Sequence, residues 1–160
     1  MSAIETPVLA PLETTPSDVW ALPQVVEPKA RLLSISDNPG DHRGLYRMID
    51  RSLWQLVTAN DCRSGIRRLA KGVDVVFSES ALPDGTWKDI LNRIGFMERP
   101  PQLVVTSRLA DAYLWSEVLN LGGFDVLAKP LNEKEVRQVL EAISRYQVRH
   151  GRHVQAAGAR

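Results

Sequence analysis

The sequence contains a single cysteine, Cys62, so no disulfide can form within the chain. It shows no signal-peptide pattern and no apolar run long enough to span a bilayer. Twenty lysine and arginine residues are balanced by nineteen aspartate and glutamate residues, and the formal charge of +1 indicates no overall field that would attract nucleic acid or an anionic membrane. We therefore expect a protein of a reducing, cytoplasmic setting that binds neither nucleic acid nor membrane.

The chain has room for one compact domain. Its 160 residues are 44% hydrophobic and 24% charged, which is enough apolar material for one buried core. Five prolines interrupt residues 1–29, and this spacing predicts a flexible, extended arm. The predicted domain covers residues 30–147, and residues 148–160 are expected to form a flexible tail.

Short apolar runs alternate with segments of helical period along the predicted domain. The predicted strands are residues 32–35, 54–58, 73–77, 103–105 and 124–128. Apolar residues recur at helical spacing in residues 45–53, 66–70, 87–94, 114–121 and 136–143, and Asn132 with Glu135 has the form of a capping box before the last helix. This alternation predicts a parallel sheet with helices on both faces, joined by right-handed crossovers.

Polar residues follow four of the predicted strands. Ser36 and Asp37 come after the first strand, Glu79 after the third, Thr106 after the fourth and Lys129 after the fifth. Because ligands of open parallel sheets bind outside the carboxyl ends of the strands, we expect these side chains to share one crevice.

These residues and their order resemble the receiver domain of bacterial two-component response regulators, and the resemblance covers residues 31–146. It implies a flavodoxin-like, doubly wound sheet of five parallel strands in the order 2-1-3-4-5, with five helices. A receiver has an acidic pair after its first strand, where this chain has Ser36 and Asp37. Glu79 stands at the position of the phosphoacceptor aspartate, and Thr106 and the Lys129–Pro130 pair match the conserved hydroxyl and lysine–proline pair of the family.

The departures from the family pattern bear on function. The resemblance assigns magnesium to the acidic pair and the acceptor carboxylate, but Ser36 removes one of those charges, so metal binding at Asp37 should be weak or lost. Glu79 carries its carboxylate about 1.5 Å further out than an aspartate would. Phosphotransfer depends on close in-line geometry, so we expect no phosphorylation at Glu79.

Two interpretations of Glu79 remain open at this point. The longer carboxylate can reach Lys129 and Thr106 and so imitate the phosphorylated state, or it can be a lost acceptor in a domain kept for its docking surface. Asp37 can likewise serve as a remnant of a metal site or as the cap of the first helix. Val126 occupies the position of the aromatic switch residue of receivers, and a β-branched valine cannot make that rotameric change.

We therefore predict a non-enzymatic, atypical receiver that needs no cofactor and acts as a protein–protein signalling or docking module. Its expected partners are a histidine kinase, an output protein or a second copy of the chain. The expected surface is the fourth helix, fifth strand and fifth helix, which carry Tyr113, Trp115 and Val126.

Two alternatives are a conventional receiver that still accepts phosphate and a flavodoxin-like module that binds a nucleotide or flavin. The second is disfavoured because the first predicted strand is followed by an acidic turn rather than a glycine-rich phosphate loop.

Overall fold

The computed structural model describes residues 29–151. The predicted proline-rich arm, apart from Lys29, and most of the predicted tail lie outside these residues. The last helix extends to Arg149, two residues beyond the predicted end of the domain at 147. Gln147 is buried in this helix, and its amide Nε2 donates to the Asp74 carbonyl oxygen at 3.1 Å. The last helix is therefore packed on the sheet almost to its end.

A parallel sheet of five strands forms the centre of the fold. Residues 29–151 contain seven strands: β1 (Ala30–Ile35), β2 (Trp54–Ala59), β3 (Val75–Glu79), β4 (Ala81–Leu82), β5 (Gly85–Thr86), β6 (Gln102–Ser107) and β7 (Asp125–Ala128). The large sheet has the order β2-β1-β3-β6-β7, and all its pairs are parallel. The predicted order 2-1-3-4-5 is confirmed, because β4 and β5 form a separate antiparallel pair.

Five helices cover the two faces of this sheet, as predicted. They are α1 (Pro39–Met48), α2 (Cys62–Leu69), α3 (Trp87–Ile94), α4 (Ala112–Leu121) and α5 (Glu133–Arg149). The first helix ends earlier than its apolar spacing predicts, because Ile49 is extended and the Leu53 amide donates to the Asp50 carbonyl in a turn. Asn132 is the N-cap of α5, as predicted.

The apolar core is divided by the sheet into two layers. On one side, α2, α3 and α4 pack over residues such as Val76 and Val105, and on the other side α1 and α5 pack over residues such as Val75 and Val104. These residues alternate along β3 and β6, as expected when consecutive side chains point to opposite faces of a sheet covered on both sides. The central strands are therefore held rigidly, which fixes the positions of the residues at their ends.

A small hairpin after β3 was not predicted. Strands β4 and β5 have two residues each, and Asp84 lies in the turn between them. Its carboxylate accepts the backbone amides of Cys62 at 2.7 Å and Arg63 at 3.0 Å, which are the first residues of α2. A carboxylate at this end of a helix is favourable, because it satisfies amides that have no partner within the helix.

Candidate functional site

The carboxyl ends of the central strands carry the polar residues of the site. Glu79 is the last residue of β3, and it stands opposite Thr106 in the register of β3 and β6. Lys129 follows β7 directly and is joined to Pro130 by a cis peptide bond. These residues lie at one edge of the sheet, where the parallel strands all end.

Lys129 is held between two carboxylates. Its ammonium Nζ donates to Oε2 of Glu79 in a short hydrogen bond, and to Oδ2 of Asp41 at 2.5 Å. The side chain of Lys129 is 9% exposed, against 15% for Glu79 and 19% for Asp41. The three groups therefore form a partly buried ionic cluster with one positive and two negative charges.

The protonated form of Lys129 is stabilised by this arrangement. Burial alone would lower the pKa of the ammonium, but the hydrogen bonds to Asp41 and Glu79, together with the two negative charges, outweigh the effect of burial. The pKa of Lys129 is therefore raised above its ordinary value of 10.5. At neutral pH the lysine is charged and engaged by both carboxylates.

Asp41 belongs to the ionic cluster but was not predicted from the sequence. It lies in the first turn of α1, whose N-cap Asn38 accepts the Gly40 amide at 2.9 Å and whose first residue is Pro39. This start of the helix directs Asp41 over the end of the sheet toward Lys129. Asparagine, proline and then an acidic residue at the third helical position are a recognisable helix start, which is the signal that could have located Asp41.

Ser36 orients the Asp41 carboxylate. Its hydroxyl donates to Asp41 Oδ2 at 2.5 Å and accepts the Asn38 amide at 3.1 Å. Ser36 is buried, so these bonds satisfy a hydroxyl that has left water. Ser36 thus positions a carboxylate supplied by α1.

His42 supports the same turn. One ring nitrogen, Nε2, lies 3.0 Å from the Ser36 carbonyl oxygen, and the other, Nδ1, lies 2.9 Å from the Ser34 hydroxyl. The ring is half-buried, and both of its nitrogens have a partner on β1 or at its end. It therefore fixes the first turn of α1 against β1.

Asp37 lies outside the ionic cluster. Its side chain is exposed, and α1 is capped by Asn38, so the expectation that Asp37 caps the helix is wrong. The structure brings together Ser36, Glu79 and Lys129 from the predicted set. It adds Asp41 in the place expected for Asp37.

Thr106 is buried beside Glu79 but does not take part in the cluster through its side chain. Within residues 29–151, its hydroxyl forms no hydrogen bond with Glu79 or Lys129, and its carbonyl oxygen accepts the Ser80 amide at 2.9 Å. Glu79 therefore reaches Lys129 but not Thr106. The next residue of β6, Ser107, accepts a hydrogen bond from the Ser80 hydroxyl at 3.0 Å and so ties β6 to the loop after β3.

The Lys129 ammonium is hydrogen-bonded to both carboxylates of the cluster, Asp41 and Glu79. A cation at this position would have to displace the Lys129 ammonium from Asp41 and Glu79. The described part of the chain contains no group of three or more histidine, cysteine, aspartate or glutamate residues placed to hold a metal ion. With Asp41 and Glu79 on the Lys129 ammonium, these residues do not fit the magnesium site that the receiver resemblance implies.

A groove lies beside this cluster, between α4, β7 and α5. Its volume is about 650 Å³, and it is lined by Ala110, Asp111, Ala112, Trp115, Asp125, Val126, Leu127, Ala128, Glu135, Gln138, Val139 and Ala142. Val126 is half-buried in its wall, and the Trp115 indole donates to Asp125 at 3.4 Å. Three of the lining residues are acidic and none is basic, so the groove favours a cationic ligand.

Comparison with known proteins identifies the fold. No protein-family model matches the chain. The two-component response regulator ARR11 of Arabidopsis thaliana is 23% identical over 131 residues, which are 80% of this chain and 25% of that protein. The chain therefore corresponds to about a quarter of the length of this curated relative.

The chain also superposes on solved structures of a receiver domain and of a response regulator. The signal receiver domain of an HD domain-containing protein from Pseudomonas fluorescens Pf-5 superposes with a TM-score of 0.68 at 21% identity, over 76% of this chain and 98% of that one. A two-component response regulator from Clostridium difficile superposes with a TM-score of 0.66 at 23% identity, over 73% and 97% of the two chains. The chain has the receiver fold.

Within the described part of the chain, no helix is both long enough and apolar enough to cross a membrane.

Proposed function

We propose that this chain is an atypical receiver that signals or docks by binding other proteins without being phosphorylated. The observation that supports this most directly is the contact of Lys129 with both Glu79 and Asp41. In the family, the corresponding lysine binds the phosphoryl group. Here a carboxylate of the chain itself, at the acceptor position, already holds the ammonium.

The same contact argues against phosphate transfer to Glu79. An attacking carboxylate must be free, close to phosphorus and in line with the leaving group. The Glu79 carboxylate is instead turned toward Lys129, and Asp41 adds a second negative charge that would repel a phosphoryl donor. In this proposal magnesium has no role, because its expected ligands are engaged by the lysine or lie outside the cluster.

Incubation with acetyl phosphate and magnesium, followed by intact mass measurement, tests the proposal. We expect no added phosphoryl mass. The matched control is the triple variant Ser36→Asp, Asp41→Ser, Glu79→Asp, which restores the family pattern and frees Lys129 for phosphate. A phosphoryl adduct on residue 79 of the unchanged chain would overturn the proposal and favour a conventional receiver.

The groove between α4, β7 and α5 is the proposed partner surface. Tyr113 is 77% exposed and Trp115 50% exposed beside the groove, and its carboxylates include Asp111 and Asp125. Exposed aromatic residues are common anchors of protein interfaces. We therefore propose a protein partner that presents a basic segment with an apolar anchor, such as a kinase or an output protein.

Self-association through this groove is the competing arrangement. The acidic lining would have to face itself across a symmetric interface, which like charges oppose. We expect a monomer in sedimentation velocity at low ionic strength. A dimer that dissociates when Trp115→Glu is introduced, and persists when the exposed Glu98→Lys is introduced as control, would show that the groove binds a second copy instead.

A further inference from the structure

The small net charge of the chain, +1, conceals a strongly basic edge. Residues 43–71 contain seven exposed cationic side chains: Arg43, Arg47, Arg51, Arg63, Arg67, Arg68 and Lys71. The same stretch contains only two acidic residues, Asp50 and Asp61. We call these seven side chains the basic edge.

The basic edge has a defined place in the fold. Its residues lie on α1 and α2 and in the turns that follow these helices, and α1 and α2 pack on opposite faces of the sheet beside its outer strand β2. Arg43 and Arg47 are four residues apart on α1, as are Arg63 and Arg67 on α2, so each pair lies on one side of its helix. The cations therefore surround the β2 side of the molecule.

These charges are not neutralised by close ion pairs within residues 29–151, although Arg67 interacts electrostatically with Asp61. None of the seven side chains forms an ion pair with a carboxylate of residues 29–151. The Arg51 guanidinium lies 4.8 Å from the centre of the Tyr46 ring, which leaves its charge uncompensated. Several like charges close together repel one another, so this surface favours an anionic ligand.

An anionic segment is attached next to this edge. Residues 1–28 contain four carboxylates, Glu5, Glu13, Asp18 and Glu27, and no lysine, arginine or histidine. They join the domain at β1, whose first residue Ala30 pairs with Trp54, the first residue of β2. Neighbouring strands are about 4.8 Å apart, so the segment enters the domain beside the basic edge.

The length of residues 1–28 and their effective concentration near the domain both favour contact between this segment and the basic edge of the same chain. An extended chain covers about 3.3 Å per residue, so 28 residues can span about 90 Å and can reach either helix. A short covalent connection also gives an effective concentration in the millimolar range, well above that of a separate anionic partner. The attraction between the two charged regions is electrostatic, so it does not depend on the burial of apolar surface.

We propose that residues 1–28 dock on the basic edge and cover it with their carboxylates. The docked segment neutralises α1 and α2 and blocks this side of the domain to other anions. The proposal is independent of the assignment of the ionic cluster, because none of the seven cations belongs to that cluster. Its failure would leave the proposed function untouched.

Paramagnetic relaxation in the full chain tests the proposal. A nitroxide is attached at Ser17→Cys, and Cys62 stays unlabelled because it is buried and burial raises its pKa to about 12. We expect the amide signals of residues 43–51 and 63–71 to lose more than half their intensity, while those of α4 stay unchanged. Salt at about 1 M, where the screening length is about 3 Å, should restore them.

Charge reversal then separates docking from accidental proximity. Glu13→Lys with Asp18→Lys should abolish the broadening, as should Arg67→Glu with Lys71→Glu, and the combination of all four should recover it. The control pair Arg108→Glu with Lys134→Glu, two exposed cations that do not belong to the basic edge, should have no effect.

Three results would overturn the proposal. The first is an absence of broadening at low ionic strength, and the second is broadening that survives both charge reversals. The third is broadening in a mixture of two chains, one carrying the nitroxide but no ¹⁵N and the other carrying ¹⁵N but no nitroxide. Broadening in that mixture would show that the segment binds a second copy.

Discussion

The position of one lysine between two carboxylates has consequences that can be measured residue by residue. Asp41→Asn removes the negative charge from one side of Lys129 and leaves the amide in its place. We expect the free energy of unfolding to fall by about 2 kcal/mol, as for the loss of a partly buried hydrogen bond to a charged group. Urea unfolding at pH 7 measures this.

Asp37→Asn is the matched control for that variant. It removes the same charge from an exposed side chain four residues earlier, so the change should stay within about 0.5 kcal/mol. Equal effects of the two variants would show that the Asp41 contact does not stabilise the fold.

The contact between Ser36 and Asp41 leads to a second prediction. Ser36→Asp places a new carboxylate where a hydroxyl now donates to Asp41 at 2.5 Å. Two partly buried like charges at this distance should destabilise the fold by about 1–3 kcal/mol. The exchange variant Ser36→Asp with Asp41→Ser removes the repulsion and should recover at least half of the loss, as measured by urea unfolding.

If the exchange variant is as unstable as Ser36→Asp alone, repulsion between the two carboxylates is not the cause.

The raised pKa of Lys129 determines how its contribution to the free energy of unfolding depends on pH. A group whose pKa is higher in the folded state stabilises the fold fully below its ordinary pKa and loses this effect as the pH rises through the folded value. We compare the chain with Lys129→Met in urea between pH 7 and pH 11. The difference in unfolding free energy should be constant up to the ordinary pKa of 10.5 and shrink above it.

A difference that already shrinks below pH 9 would contradict the double hydrogen bond of the ammonium.

At the scale of secondary-structure elements, Asp84 joins the β4–β5 hairpin to the start of α2. Its hydrogen bonds to the Cys62 and Arg63 amides lower its pKa, although burial acts in the opposite direction. Asp84→Ala removes these acceptors, so we expect the hairpin to separate from α2 and Cys62 to react several times faster with a thiol reagent. Absorbance of the released thiolate dye follows the reaction.

Glu98→Ala, which removes an exposed carboxylate after α3, is the control for Asp84→Ala and should leave the rate unchanged. The pH dependence follows from the lowered pKa of Asp84: its stabilising effect is present above the ordinary value of 3.8 and is lost as the pH falls through the lower folded value.

The elements also show what could be predicted from sequence. The five strands of the large sheet and the helices between them were predictable, because continuous apolar runs such as Val75 to Phe77 and apolar residues at helical spacing both indicate burial. The β4–β5 hairpin was not, since strands of two residues have no period. Asp41 was missed for a different reason: the site was sought only at strand ends, and this carboxylate is delivered from the first turn of a helix.

Glu79 and Lys129 were expected at one crevice, and the structure places them in contact. The side-chain direction of Thr106 could not be predicted, because a hydroxyl can choose among several acceptors once it is buried. From the sequence alone, either Asp37 or Asp41 could supply the carboxylate that lies over the end of the sheet. Only the start of α1 at Pro39 decides that Asp41 lies over the sheet.

For the molecule as a whole, the proposed function predicts insensitivity to a phosphoryl analogue. Beryllium trifluoride with magnesium binds a free carboxylate at the acceptor position of a receiver and imitates the phosphorylated state. We expect no change in the amide shifts of α4, β7 and α5 when these reagents are added. The triple variant Ser36→Asp, Asp41→Ser, Glu79→Asp should shift them.

Shifts in the unchanged chain that depend on magnesium would indicate a functional acceptor and contradict the proposal.

The charge distribution is also a property of the whole molecule. The basic edge surrounds β2, and the acidic groove lies beside β7 at the other end of the sheet. The electric field of a charged partner can orient a protein with these two oppositely charged regions before contact. Because salt screens this field, the rate of association through the groove should fall as salt is added.

The bonds of Lys129 connect parts of the chain that are 88 and 50 residues away from it. Its ammonium joins the start of α1 and the end of β3 to the loop that leads from β7 into α5. Displacement of α1 from the sheet would therefore break a contact of Lys129, which directly follows Ala128 of the groove lining. One side chain therefore links three elements that are distant in sequence at this edge of the sheet.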